Sequence, residues 1–138
     1  MNTQQLNIHT KALNISLWLA QAFIAFAFIA IGYIKFSTPI IELSKNITWA
    51  ADFPVAFVRS IGLIDIAGGI GILFPALLRI KPKLSVLAAL CCCILQVCAI
   101  TFHFSRGEQA LTTGNFVFLV TCLFILWGRT KKLPFAVS

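Results

Sequence analysis

Formal charge is what this sequence has least of. Asp, Glu, Lys and Arg make up 11% of its 138 residues, against about 25% in an average globular domain. So few polar side chains cannot coat a water-soluble ball, and 59% of the residues are hydrophobic; lipid is the solvent for most of the folded surface. Acids are scarcest: Glu42, Asp52, Asp65 and Glu108 are all there are, against 11 Lys plus Arg, for a net charge of +7. The basic residues stand in short runs beside apolar segments. That placement fits anchors to anionic headgroups and argues against a nucleic-acid surface. Histidine is limited to His9 and His103, and the five cysteines (Cys91, Cys92, Cys93, Cys98, Cys122) form no C-x-x-C pair. Three successive cysteines on a helix point three ways. No metal site is expected from such a supply, and the cysteines read as small, soft packing residues.

Four long apolar runs are what the chain does have. Residues 12–34 lie between Lys11 and Lys35 without a formal charge, and 23 residues of helix cover roughly 34 Å, enough for a hydrocarbon core of about 30 Å. A secretory signal has a shorter apolar region and a small-residue cleavage site, so this run reads as a retained span. Further spans are expected at about 60–78, 84–105 and 110–128, with Pro75 bending the second near its end. The expected fold is therefore all-α: an integral membrane antiparallel four-helix bundle, with residues 1–138 forming one membrane domain. Lys and Arg flanking the spans number seven on the side of the two termini and four on the other. The positive-inside rule then puts both termini in the cytoplasm, in a bacterial cytoplasmic membrane.

The first outer connection, 36–58, is the only long one. Pro39 after Ser37 and Thr38 marks a helix start. Ile40, Ile41, Leu43 and Trp49 then form an apolar set that either lies on the membrane surface or roofs the bundle.

An ionisable residue inside a span is costly, about 2.5 to 3.5 kcal/mol for Asp at mid-bilayer on insertion scales. Asp65 is the only acid so placed. Helical rise puts it roughly 21 Å from Arg79, and puts Gln96 and Asn115 each roughly 20 Å above the same boundary. Three helices thus offer a polar side chain at one level, which suggests a shared interior network. Gly62, Asp65 and Gly69 share one face of the second span, where small residues let a neighbouring helix approach. Gln21, Ala25, Phe28, Gly32 and Lys35 make a comparable stripe on the first, and Gln96 and His103 stand two turns apart on the third. Lys35, Arg59, His103, Arg106 and Glu108 lie nearer the outer surface and, with Asp65, outline a partly charged funnel. The bland alternatives are snorkelling cations, an interfacial histidine, interhelical amide glue and a structural ion pair of Asp65 with Lys35, Arg59 or Arg106.

The run Gly-Tyr-Ile-Lys-Phe (32–36), the stretch at 59–75 around Asp65 with its Gly-Gly-Ile-Gly, Phe-His-Phe-Ser-Arg-Gly-Glu (102–108), Asn-Phe-Val-Phe-Leu-Val (115–120) and Trp-Gly-Arg (127–129) resemble the DoxX-like family of small four-span membrane proteins. The resemblance implies the antiparallel bundle and carries over Lys35, Asp65, His103, Arg106 and Asn115 as pattern positions, with Asp65 standing where the family commonly has Glu. It also implies a choice of roles, since relatives include subunits linked to thiosulfate:quinone oxidation and membrane redox complexes, but also receptor-assembly chaperones and cargo receptors. Fold does not fix function. The leading expectation is a redox-associated subunit binding a quinone or other lipophilic molecule through Lys35, Arg59, Asp65, Gln96, His103, Arg106 and Asn115. A non-enzymatic scaffold or assembly chaperone for partner membrane proteins is the alternative, and a small oligomeric transporter comes third.

Overall fold

Within hydrocarbon every backbone N–H and C=O must find its partner inside the protein, so apolar runs of this length fold as helices. The computed structural model describes residues 3–135. The four runs form α1 (Thr3–Ser37), α3 (Val55–Leu77), α4 (Lys83–Ser105) and α5 (Thr113–Trp127), and a short α2 (Ile40–Asn46) lies in the first connection. Four helical segments have the length and apolarity to cross a bilayer, the fourth being α5 with the turns on either side of it (Gln109–Lys132), and their mean hydropathy over 18 residues is 1.8 to 2.4. Two of them begin before the flanking charges. α1 runs on past Lys11 to Thr3 and α3 starts right after Pro54, because a charge marks the edge of hydrocarbon while only a helix breaker ends the helix.

The helices run alternately up and down and pack in a ring, α1 on α3, α3 on α4, α4 on α5, and α5 back on α1. Both described ends of the chain lie at one end of the bundle, where Phe135 meets Trp18. That is the terminal end; the other, carrying α2, is the lid end. Ile24, Phe28, Ile72, Ala89, Cys92, Cys93, Cys122 and Ile125 form the buried middle. Three of the five cysteines therefore pack as small apolar residues, while Cys91 and Cys98 are exposed and all five are free thiols. α3 continues unbroken through Pro75.

The α1–α3 contact is the tightest in the molecule and rests on missing side chains. A Cβ at Gly32 would stand 2.5 Å from the Gly62 carbonyl oxygen, one at Gly62 2.7 Å from the Gly32 oxygen, and one at Gly69 2.8 Å from the Ala25 oxygen. Backbone meets backbone at two places seven residues apart on each helix. Membrane helices gain no hydrophobic drive from packing together, so this closeness, with its dispersion and Cα–H···O contacts, is what joins them. Gly62→Ala should cost about 1 to 3 kcal/mol, the usual penalty for forcing a methyl into a packed interface. Thermal unfolding in mild detergent would register it, whereas an unchanged midpoint would mean the helices part freely.

Candidate functional site

The same glycine contact sets up an ion pair. Lys35 follows Gly32 by three residues and Asp65 follows Gly62 by three, so each lies one turn along from the crossing on the same face. Helical side chains lean toward their own N-terminus. In antiparallel helices that tips the Lys35 chain down from the lid end and the Asp65 carboxylate up toward it. They meet at 2.8 Å, Nζ to Oδ2, with only 15% and 8% of the two side chains exposed. The carboxylate is thus turned into the bundle, away from the acyl chains. Arg59, one turn before Gly62, donates from Nη1 to the Lys35 carbonyl at 2.6 Å. It satisfies an oxygen that the end of α1 would otherwise leave unbonded.

Above the pair lies a cavity of about 510 Å³. Lys35, Asp65, Gln96, His103 and Asn115 all line it, among walls that include Phe28, Trp49, Phe53, Phe102 and Phe118. Five of the seven residues singled out from the sequence therefore converge on one space. Arg59 and Arg106 do not line it: the first caps α1, and the second holds the lid. Nor do Asp65, Gln96 and Asn115 form the expected network. Asp65 bonds to Lys35, while the buried Gln96 Oε1 has no hydrogen-bond partner among the described residues. The three stand in the wall of one cavity, on three different helices, with no hydrogen bond joining them among the described residues.

The roof is the first connection. α2 and the following 3₁₀ turn (Thr48–Ala51) seat Leu43 and Ala50 against Val58 in a small apolar core of their own. Trp49 then stands over the cavity, edge-on to Phe53 at 6.0 Å and to Phe102 at 6.2 Å. The Lys35 ammonium lies 5.9 Å from the centre of its ring. Of the two readings of this loop, surface-lying connector or lid, the geometry is that of a lid.

A polar clasp fastens it. Gly107, in the left-handed conformation at φ 73°, ends α4 and turns the chain back, so that the Glu108 N–H bonds to the His103 carbonyl. The Glu108 carboxylate is thereby brought 2.8 Å from His103 Nδ1 and 3.0 Å from Arg106 Nε. Arg106 reaches across to Asp52 of the lid segment at 2.7 Å. Asp52 and Phe53 were not singled out from the sequence, and Phe102 appeared there only as the first residue of the 102–108 motif. Among the described residues no three His, Cys, Asp or Glu side chains gather in a way that could hold a metal ion.

Four membrane-crossing helices, a short lid and one buried ion pair beside a roofed cavity define a small polytopic membrane protein. Residues 19–125 match the DoxX-like family, and the chain belongs to it. No curated protein and no solved structure matches the chain.

Two outcomes follow for the site. Asp65→Asn leaves the Lys35 ammonium buried without its anion and should destabilise by about 3 to 5 kcal/mol, while adding Lys35→Met should restore part of the loss. A double-mutant cycle on thermal stability reads the coupling, and simple additivity would mean the pair is not formed. The clasp should respond to acid. The hydrogen bond with His103, then that from Arg106, holds the Glu108 carboxyl below its ordinary range. A lowered carboxyl pKa contributes stability in full above the ordinary Glu value and loses it as pH falls through the lowered one. Lid closure, followed by Trp49 fluorescence with Trp18 and Trp127 replaced by Phe, should therefore hold at neutral pH and loosen in acid. Glu108→Gln should abolish the transition; an unaltered acid transition in that variant would refute the clasp.

Proposed function

We propose that this DoxX-like protein is a redox-associated membrane subunit that binds a quinone or another lipophilic small molecule under the lid. The observation that carries this reading is the unpartnered Gln96 Oε1, buried in the wall of an aromatic cavity that also contains the Lys35–Asp65 pair. A volume of about 510 Å³ falls in the range of small-molecule pockets, which are mostly apolar with a few convergent polar groups. A flat, lipid-soluble ring with oxygen substituents suits such walls. Phe102, Phe53 and Trp49 would pack against its faces, Lys35 and Asn115 would donate to its oxygens, and Gln96 Oε1 would accept from a ring hydroxyl, as the reduced quinol form presents. His103 keeps Nδ1 on Glu108, which leaves Nε2 to exchange a proton between the cavity and the lid end. The chain has no C-x-x-C motif and only two histidines; in this reading electrons enter or leave through the bound molecule and a partner protein.

In this reading the terminal end, with its excess of Lys and Arg, faces the cytoplasm, and the lid lies on the outer face of a bacterial cytoplasmic membrane. A lipophilic ligand would then reach the pocket from the outer leaflet. Purification in mild detergent followed by lipid extraction should yield stoichiometric quinone. A short-chain benzoquinone or naphthoquinone should raise the unfolding temperature of wild type, and Gln96→Leu should remove most of that rise without loss of folding. Repeated absence of quinone together with no quinone-dependent shift would defeat the proposal. If a specific membrane protein then co-purified with wild type and was lost from a still-folded Asn115→Leu variant, the scaffold alternative would take its place.

A further inference from the structure

A second polar cluster lies at the terminal end, remote from the lid, and the pocket makes no use of it. Arg129, in the π-turn Gly128–Lys132 that follows α5, is 5% exposed. Gly128 makes its burial possible, because a Cβ there would strike the Leu17 side chain. Nε donates to Gln21 Oε1 at 2.9 Å and Nη1 to Asn14 Oδ1 at 2.9 Å. Gln21 cannot turn away, since its amide nitrogen donates to the Ile72 carbonyl at 2.8 Å. Trp18 and Phe135 crowd the guanidinium from two sides, with ring centres 5.1 and 4.6 Å from Cζ. The group is held in one orientation, and its remaining nitrogen, Nη2, is buried with no hydrogen-bond partner among the described residues.

Both hydrogen-bond partners are neutral amides. The ion pairs among the described residues engage Asp65, Glu108 and Asp52, all at the lid end, and the fourth acid, Glu42, is on α2. A guanidinium stays charged at any accessible pH, and a buried charge without a counter-charge is costly. Among the described residues the missing element is an anion. Lys131 and Lys132 follow Arg129 after Thr130, Lys132 lies over the Trp127 ring, and Lys11 is one turn from Asn14. A basic rim set with tryptophan at the end of a span is the level of lipid phosphates.

We propose that Arg129 binds the phosphate of an anionic bilayer phospholipid between α1 and α5. Nη2 donates to a phosphate oxygen, and the rim lysines favour a headgroup without a cation of its own. Phe135 belongs to the short non-helical segment after Lys132, so the phosphate reaches Nη2 by displacing that segment, with the helices left in place. This inference is independent of any ligand in the lid-end pocket.

The test uses the full chain in non-ionic detergent, with native mass spectrometry and unfolding temperature as readouts. Phosphatidylglycerol should stay bound to wild type and raise its unfolding temperature more than phosphatidylcholine does. Arg129→Gln should lower phosphatidylglycerol retention roughly tenfold or more, the scale of a charge-assisted hydrogen bond. Phe135→Ala leaves the arginine in place and should bind the lipid more tightly, which keeps the proposal exposed if the arginine variant fails to fold. Retention unchanged in Arg129→Gln, or unchanged or weakened in Phe135→Ala, would overturn it. So would equal stabilisation by inorganic phosphate at matched concentration, which would assign the site to a free anion, or no preference between the two lipids.

Discussion

A carboxylate inside a membrane needs a cation beside it, and most of the lid-end architecture follows from meeting that need for Asp65. The partner must come from another helix, because Asp65 has no cation within a turn on its own helix. α1 supplies Lys35, and the two backbones come close enough only because Gly32 and Gly62 face each other without side chains. Once the helices touch there, the lean of helical side chains toward their N-termini brings ammonium and carboxylate together without further adjustment. Arg59 then occupies the carbonyl of Lys35, so the residue that supplies the cation is held by its main chain as well. Glycine packing, ion pair and cap form one device.

Much of this was legible because acids are so few. With one carboxylate in the spans, its inward direction could be argued from energy alone, and the depth of Gln96 and Asn115 followed from helical rise. The network expected between them did not follow, since equal depth fixes height along the membrane normal and says nothing of separation across it. Arg59 and Arg106 were placed at the right end of the bundle, but charge and depth cannot tell a pocket wall from a helix cap or a clasp. The lid was legible as an apolar segment; that Trp49 closes on Phe53 and Phe102 depends on a three-way packing that no periodicity encodes.

The terminal cluster escaped notice for a more instructive reason. Counting Lys and Arg beside the spans treats each as an anchor in water or headgroups, and Arg129 entered that count with Lys131 and Lys132. The opposing signal lies on another helix, where Asn14, Trp18 and Gln21 recur at spacings of four and three along one face that runs from the exposed Asn14 to the buried Gln21. Two amides on one face of a membrane helix must bond to something. Gly128 before the arginine completes the pattern, since the close approach that it allows lets a long cation turn in toward α1.

The two polar clusters are kept apart by the apolar middle of the bundle, where Ile24, Phe28, Ile72, Cys92, Cys122 and Ile125 pack without a charged group. That layer is built of small contacts: a Cβ at Gly68 would sit 2.9 Å from the Cys92 sulfur and one at Gly71 2.9 Å from the Ala88 methyl. Interiors packed this closely do not deform smoothly. An event under the lid is therefore felt at the terminal end through a rigid shift of α1 against α3, since α3 supplies Asp65 and the Ile72 carbonyl that holds Gln21, and α1 supplies Lys35, Asn14 and Gln21. Its grip on α3 through Gly32, Gly62, Ala25 and Gly69 opposes such a shift. The molecule thus carries two polar clusters on one closely packed frame.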